Sequence, residues 1–585
     1  MQAAMNRRAK AAWVLFFALA IMGTRLPLAP RQLFSFDDVN FAWAIGKFDV
    51  RLSQPQPPGY PLFVLQMRLL DKLRFKNAQS NLMALSLAAS LAAVLLVWAF
   101  GNRFFGGNAG LCAAFLLLFY PSFWYAALTS AVRVQLAVVS VGVAAACHRA
   151  WCGHRRWLLW SAMALGVGAG IRPELGPLLL PLWLVSAWRA RVSWRYRALA
   201  LALLVGIVLA WLAPTAMLSG GPKTYFEVCW KYLRDQAALT SPAFGASGRL
   251  WQLIICRLLV WTFVGVLAWP LFLIPLCRRH RSPALNAEQR LFLALWLAPS
   301  LIFALLVHVA DAGQTLAMVV VVCLVGGQLM RCTLEEIEQH PPSWHGLIWL
   351  VVALALATHL VSKATLLLLI PPFCLACGWL LSKPAPAGLR PAPRAHTWSF
   401  LLVPVLLLDL LIFFYRGWSF KGGPEFWSQI LEDLRSGLAF TSREQIRATA
   451  TLDDRSLRAI RQLTEGHPRL AVILWERGLL SWRKAAYYYH YLPVVVLDRK
   501  TLAGPAPSVA TVWRGSRLEQ RLEGPPPLRI VLPRGGRLIW LLNPASDFPA
   551  RLREHFFLAE MGPVYFCDLP ETSGSRRIGD FLLTW

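Results

Sequence analysis

Phe34 to Val64 reads FSFDDVNFAWAIGKFDVRLSQPQPPGYPLFV, an interruption in a chain otherwise built from long apolar runs. Two adjacent acids, Asp37 and Asp38, come first. VNFAWAIGKF follows with an amphipathic helical pattern, too short and too polar to span a membrane. QPQPPGYP then ends it, because proline has no amide donor and a fixed φ. One Asp at the centre of a membrane helix costs about 2.5 to 3.5 kcal/mol even on lenient insertion scales. The acids therefore belong at a membrane surface or in a wet cavity, where a surface helix and a rigid turn would hold them at the lipid boundary. On residue chemistry alone, a solvated loop or an Asp capping a helix that starts at Val39 is also open.

The remainder of the chain sets that stretch in lipid. Of 585 residues 57% are hydrophobic and only 15% charged, with mean hydropathy +0.49, where soluble domains are nearer a quarter charged. Fifty-nine Lys and Arg against thirty Asp and Glu give +29. The basic residues sit largely in short loops between apolar runs, as the positive-inside rule requires, so no nucleic-acid partner is called for. Most of the eleven cysteines, Cys112, Cys147, Cys256 and Cys323 among them, fall in apolar runs as small hydrophobes. Cys374 and Cys377 form a CxxC, but inside an expected span and without a second ligand pair.

Stretches long enough to cross about 30 Å of hydrocarbon occur near 11–30, 81–100, 108–126, 131–147, 157–171, 174–188, 198–217, 250–276, 291–309, 313–330, 345–362, 364–381 and 398–415. That makes a polytopic α-helical membrane protein of about 13 helices. Arg7, Arg8 and Lys10 precede the first, which reads as a retained anchor with the N-terminus cytoplasmic. Counting onward places HRAWCGHRR, RARVSWRYR and CRRHRSPALNAEQR inside, and the first loop (31–80) outside. After residue 415 the charge rises, and RLAVILW, LPVVVLD, LRIVLP and RLIWLLN are short β-branched runs. The expected division is a membrane domain over 1–415 and an extracytoplasmic α/β domain over 416–585, on the same side as the first loop and able to cover it.

Phe36-Asp37-Asp38-Val39-Asn40-Phe41, followed by Gln56-Pro57-Pro58-Gly59-Tyr60-Pro61, resembles the first outer loop of the protein O-mannosyltransferases and related bacterial transferases of the GT-C superfamily. NLMALSLAASLAAVLL, FYPSFWYAALTSAVR and GVGAGIRPELGPLLLPLWL keep that family's order and spacing, so the resemblance covers roughly residues 10–215. It implies a mannosyltransferase-like hexosyltransferase of the cell envelope, in a bacterial inner membrane. The substrates would be a polyprenyl-phosphate sugar donor and an acceptor hydroxyl on a protein, lipid or glycan. Asp37 matches the family's general base. Asp38 stands where the mannosyltransferases have Glu, and Asn40, Gln56, Pro57, Pro58 and Tyr60 belong to the substrate loop.

The chemistry is coherent. Inverting transfer needs one carboxylate to take the acceptor proton, while the phosphate leaves without an acid. Positive charge must meet that phosphate, and the candidates are Arg172 first, then Arg133, His308 beside Asp311, and Lys363, with Lys223 and Arg234 behind them. Each has a structural alternative: Arg172 can pair with Glu174 at a hairpin tip, Lys363 can anchor at the interface, and His308 can be a core histidine. Gln56 replaces the family's His or Lys, and the second outer loop has Ala131, Arg133 and Gln135 where relatives often place an acid. No metal and no cofactor is expected, since Asp37 and Asp38 are the only obvious clustered carboxylates. A transporter and a non-catalytic envelope-assembly subunit remain alternative classes; the first would show internal repeats, the second would need no loop acid.

Overall fold

The computed structural model describes residues 7–73, 77–265, 285–339, 405, 409–410, 412–414, 425–465, 470–498, 508–543 and 546–585. Its contacts divide the chain into two compact units. One takes Met1–Ala29 and Pro57–Ile446, the other Pro30–Gln56 and Arg447–Trp585. The acidic stretch is thus grouped with the distant tail, across a cut that a single boundary at residue 415 does not make.

In the first unit the helices are α1 (Arg7–Arg25), then α3 (Pro61–Lys72), α4 (Ala78–Phe105), α5 (Ala109–Phe119), α6 (Pro121–Thr129), α7 (Ala131–Trp151), α8 (Arg156–Ile171) and α9 (Leu175–Arg189). They continue with α10 (Trp194–Leu218), α11 (Pro222–Ala237), α12 (Gly248–Phe263), α13 (Ala287–Leu306), α14 (Leu316–Gln339) and α15 (Glu425–Phe440); α2 belongs to the other unit. Among the described residues six helices are long and apolar enough to cross a membrane, or seven if the α5–α6 pair, bent by 56°, is one span. Helices α8 and α9, of 16 and 15 residues, fall short of the ~20 a perpendicular crossing needs. The stretches at 345–362 and 364–381, the end of 250–276, most of 398–415, and the Cys374–Cys377 pair lie outside the described residues.

Helix α5 runs between α4 and α14 at a separation only glycine permits. A Cβ on Gly110 would collide with the Trp98 carbonyl oxygen, and one on Gly327 with the Ala109 carbonyl oxygen. In lipid, where burial of apolar surface gives helices little reason to associate, such close backbone approach supplies the packing energy.

The second unit is an α/β domain. Its seven-stranded sheet has the order β4-β3-β2-β1-β6-β8-β7, with β1 (Ala471–Glu476) parallel to both β2 (Pro493–Asp498) and β6 (Arg537–Leu542). β3 (Ser508–Arg514) and β4 (Arg517–Gly524) add antiparallel on one side, β8 (Val564–Asp568) and β7 (Ala559–Met561) on the other. β5 (Leu528–Val531), β10 (Phe581–Thr584) and β9 (Ser575–Ile578) make a second, smaller sheet. Val472, Leu474, Val495, Leu538 and Trp540 project from the large sheet into a core shared with Ile530, Phe581 and Leu583 of the small one. All four β-branched runs seen in the sequence are strands: β1, β2, β5 and β6.

Two helices of this unit matter for the site. α16 (Arg443–Thr464) enters the unit at Arg447, and α17 (Trp482–Tyr488) crosses from β1 to β2. Against α17 packs α2 (Phe36–Gly46). The sequence suggested that α2 lies on a membrane surface with a polar side in water. Instead every residue from Asp38 to Ala44 is buried, with α17 packed against the helix and Trp43 set against Trp482 and Trp513.

Candidate active site

The acids sit in the first turn of α2. Ser35 is the N-cap, with an extended backbone (φ −108°, ψ 163°). The Asp38 amide donates to Ser35 Oγ at 3.1 Å, and the Ser35 amide donates to Asp38 Oδ2 at 2.8 Å, a reciprocal capping box. The helix therefore starts three residues before Val39, and the residue that caps it back is Asp38, inside the helix.

This separates the two carboxylates. Asp38 is 4% exposed and points in. Asp37, one residue earlier, is only half-buried. Burial pushes the Asp38 carboxyl up to about 7, against the opposing pull of its two hydrogen bonds with Ser35; the Asp37 charge raises it further and the Lys484 charge lowers it. The more accessible acid is the one that can meet a substrate. Its inner neighbour builds the helix start.

The rest of the acidic stretch is folded on itself. Asn40 Nδ2 donates to Gln56 Oε1 at 3.3 Å with both side chains buried, which ties α2 to the Pro-rich turn. Asp49 and Gln54 exchange backbone hydrogen bonds of 2.6 and 3.0 Å, and Asp49 pairs with Arg51 at 2.8 Å. The Gln54 side-chain amide donates to the Ser516 carbonyl in the β3–β4 turn. Trp43 stacks on Trp513 of β3, ring planes 4° apart at 6.5 Å, with Trp482 of α17 at 6.2 Å.

Two groups of cation candidates form in the membrane unit. Arg172 ends α8 and is 2% exposed, with its guanidinium paired to Glu174 and lying 5.4 Å from the centre of the Tyr60 ring. Tyr60 follows Gly59 in the left-handed region (φ 48°) and launches α3 at Pro61; a non-glycine residue there carries backbone strain. The Tyr225 hydroxyl of α11 donates to the Pro58 carbonyl at 2.8 Å. Pro58, Tyr60 and Arg172, far apart in sequence, are thus brought together, joined by a tyrosine that sequence reasoning did not single out. The Glu174 pair foreseen as the structural alternative is present, so an anion at Arg172 would share the guanidinium with that carboxylate.

In the second group, Arg133 Nε at the start of α7 stands 3.7 Å from Asp311 Oδ1, and His308 Nδ1 is 3.0 Å from Thr240 Oγ1. Lys363 lies outside the described residues. Among the described residues no three His, Cys, Asp or Glu side chains come together as a metal site would need.

The sequence reading also passed over Lys484 and Tyr488, which hold the backbone entering α2, and Asp453, which pairs with Lys484. One cue existed: Lys484 is a lone ammonium in a short helix whose other inward residues, Ala485 and Ala486, are apolar.

Residues 55–217 match the family model of the dolichyl-phosphate-mannose-protein mannosyltransferases. The match takes in the Pro-rich turn, Arg133 and Arg172, and begins beyond Asp37 and Asp38. Two crystal structures of ArnT from Cupriavidus metallidurans align over nearly the full length at 14% identity. The apo form has TM-score 0.51 and covers 96% of this chain and 98% of that one. The form bound to undecaprenyl phosphate has TM-score 0.54 and covers 95% and 98%. The fold is of the GT-C type. Arabinosyltransferase EmbB from Mycobacterium smegmatis matches more loosely, at TM-score 0.42 and 14% identity, over 74% of this chain and 44% of that one. Among curated proteins none matches the sequence. The helical unit and the sheet unit of this chain both fall within the length aligned to ArnT.

Proposed function

We propose that the protein is an inverting membrane glycosyltransferase, a hexosyltransferase, that moves a sugar from a polyprenyl-phosphate donor to an acceptor hydroxyl at the outer face of the membrane. The acceptor is carried on a protein, lipid or glycan. The observation that carries this reading is the placement of Asp37 in the first turn of a capped, buried helix, half-exposed while Asp38 turns inward. The mannosyltransferase-family match and the ArnT fold, one of whose structures holds undecaprenyl phosphate, support the donor class.

In the reaction, the acceptor oxygen attacks C1 of the sugar from the face opposite the phosphate. Its proton passes to Asp37 as the new C–O bond forms, and the old C1–O bond breaks with its electron pair leaving on the phosphate. No acid is needed for that leaving group, so one base suffices. Arg172 and Arg133 are the described cations proposed to meet the polyprenyl phosphate, Lys363 a further one. A guanidinium offers phosphate a planar pair of donors. His308 is proposed as a polar neighbour of that group, and Asn40, Gln56, Pro57, Pro58 and Tyr60 as the frame of the substrate loop.

The protein is placed by this reading in a bacterial inner membrane, with its N-terminus cytoplasmic and its α/β domain outside. The test compares cell-envelope glycans, lipids and glycoproteins by mass spectrometry in cells with and without the protein, and with Asp37→Asn in its place. A hexose missing equally in the deletion and in the Asn variant is expected. An envelope unchanged by deletion would overturn the reading.

A further inference from the structure

We propose that Lys484, from the α/β domain, is a positioning residue: it fixes the backbone at the start of α2 and so sets where the Asp37 carboxylate stands. The inference rests on Asp37 being the base.

The contacts converge on two consecutive residues. Lys484 Nζ donates to the Phe34 carbonyl, immediately before the N-cap Ser35. Four residues along the same face of α17, the Tyr488 hydroxyl accepts the Leu33 amide at 2.9 Å. The backbone entering α2 is thus held through an N–H and a C=O by one turn of one helix, and the capping box takes over at the next residue. Trp43 against Trp482 and Trp513 fixes the other end.

Lys484 is 4% exposed. A buried ammonium must be paired and hydrogen-bonded to be tolerated, and Asp453 of α16, itself 3% exposed, supplies the counter-charge. An ammonium has three donors and no acceptor, so it can satisfy the Asp453 carboxylate and the Phe34 carbonyl at once. An apolar residue of similar length would fill the space and bond neither. The pair does more than close a gap in the core: it joins α16, α17 and the entry to α2 at one point, three residues from Asp37. Misplacing a reacting group by about 1 Å can cost on the order of 10²-fold in rate, so a base on a short helix needs such a fastening.

The test uses the full-length protein in detergent or nanodiscs, with Lys484→Met, Lys484→Arg and Asp37→Asn singly, and Lys484→Met combined with Asp37→Asn. Amide exchange over residues 35–41 reads the hold directly. Lys484→Met is expected to raise that exchange and to lower kcat by about ten- to a hundredfold, with the donor KM within about twofold. Lys484→Arg should recover part of both. Lys484→Met should take nothing further from the residual rate of Asp37→Asn, because both act through one carboxylate; a merely structural loss would lower the two backgrounds alike and overturn the proposal.

Unchanged exchange, or raised exchange with wild-type turnover, would also overturn it. Should Lys484→Met fail to fold, Tyr488→Phe, which removes only the acceptor of the Leu33 amide, is expected to shift exchange and kcat the same way by a smaller factor, and no shift in either sinks the proposal. Normal turnover in Asp37→Asn would remove the base instead, while the exchange result on Lys484 would stand or fall separately.

Discussion

Ser35 and Asp38 hold each other's backbone amides, at 3.1 Å through the Ser35 hydroxyl and at 2.8 Å through the Asp38 carboxylate. That reciprocity gives two neighbouring acids unlike duties. Asp37→Asn removes a proton acceptor from a half-exposed site, and a positioned base contributes roughly 10²- to 10⁴-fold, so turnover should fall by that order with folding intact. Asp38→Asn keeps an oxygen able to accept the Ser35 amide and should leave most of the activity. Steady-state turnover of the two purified variants decides it; a larger loss in Asp38→Asn than in Asp37→Asn would exchange the roles.

Asp38 also gives the protein a pH signature. Burial raises its carboxyl to about 7, against about 3.9 for an unfolded aspartate. The folded form holds the proton more tightly, so this residue's share of stability is complete below the unfolded value and is lost as pH rises through about 7. Asp38→Asn cannot ionise. Thermal stability of the wild type should fall from about pH 4 to about pH 7 relative to the Asn variant and run parallel to it above that, the Asn variant being the more stable at the upper end. Curves parallel from end to end would show that Asp38 does not titrate there.

Arg172 tests the donor side. Its guanidinium already meets Glu174 and the Tyr60 ring, so Arg172→Ala should both weaken donor use and loosen the Pro58–Tyr60 turn. Arg172→Lys restores a point charge without the planar fork and should recover only part of the rate. Glu174→Gln separates the effects, since it frees the arginine without removing it, and should leave donor use intact or stronger. Donor KM and kcat unaltered in both Arg172 variants would return the residue to a structural pair.

How much of this was readable in the sequence depends on the range of the forces involved. Short-range signals carried in part: four β-branched runs are strands, but α2 stops at Gly46, with an extended Lys47 after it, well before Pro55 could end it. The start of α2 was misjudged by three residues because Phe36-Asp37-Asp38 looks polar and solvated, whereas Ser35 is the cap and Asp38 its partner within the helix. Strand β4, RLEQRLEG, was hidden by its charges, which suit an exposed sheet edge. Least legible was the joining of Pro30–Gln56 to Arg447–Trp585. It depends on Trp43 meeting Trp513, and Phe34 meeting Lys484, across some 450 residues, and no local pattern encodes such a contact.

That joining makes the sidedness of the membrane testable from either partner. Residues 30–56 and 447–585 fold as one unit, so they must occupy the same compartment whatever the number of spans between them. Lys47 and Ser573 are exposed in that unit, and Arg191 is exposed between α9 and α10. Single cysteines at each, in a background freed of native thiols, report their side through a membrane-impermeant reagent. If Met1 is cytoplasmic, Lys47→Cys and Ser573→Cys should label in intact spheroplasts and Arg191→Cys only after lysis. Labelling of Lys47→Cys without Ser573→Cys would contradict the single folded unit itself, and with it the hold of α17 on the acidic helix. Labelling of both only after lysis would keep the unit and the base while turning the whole molecule over, which would move the proposed reaction to the cytoplasmic face.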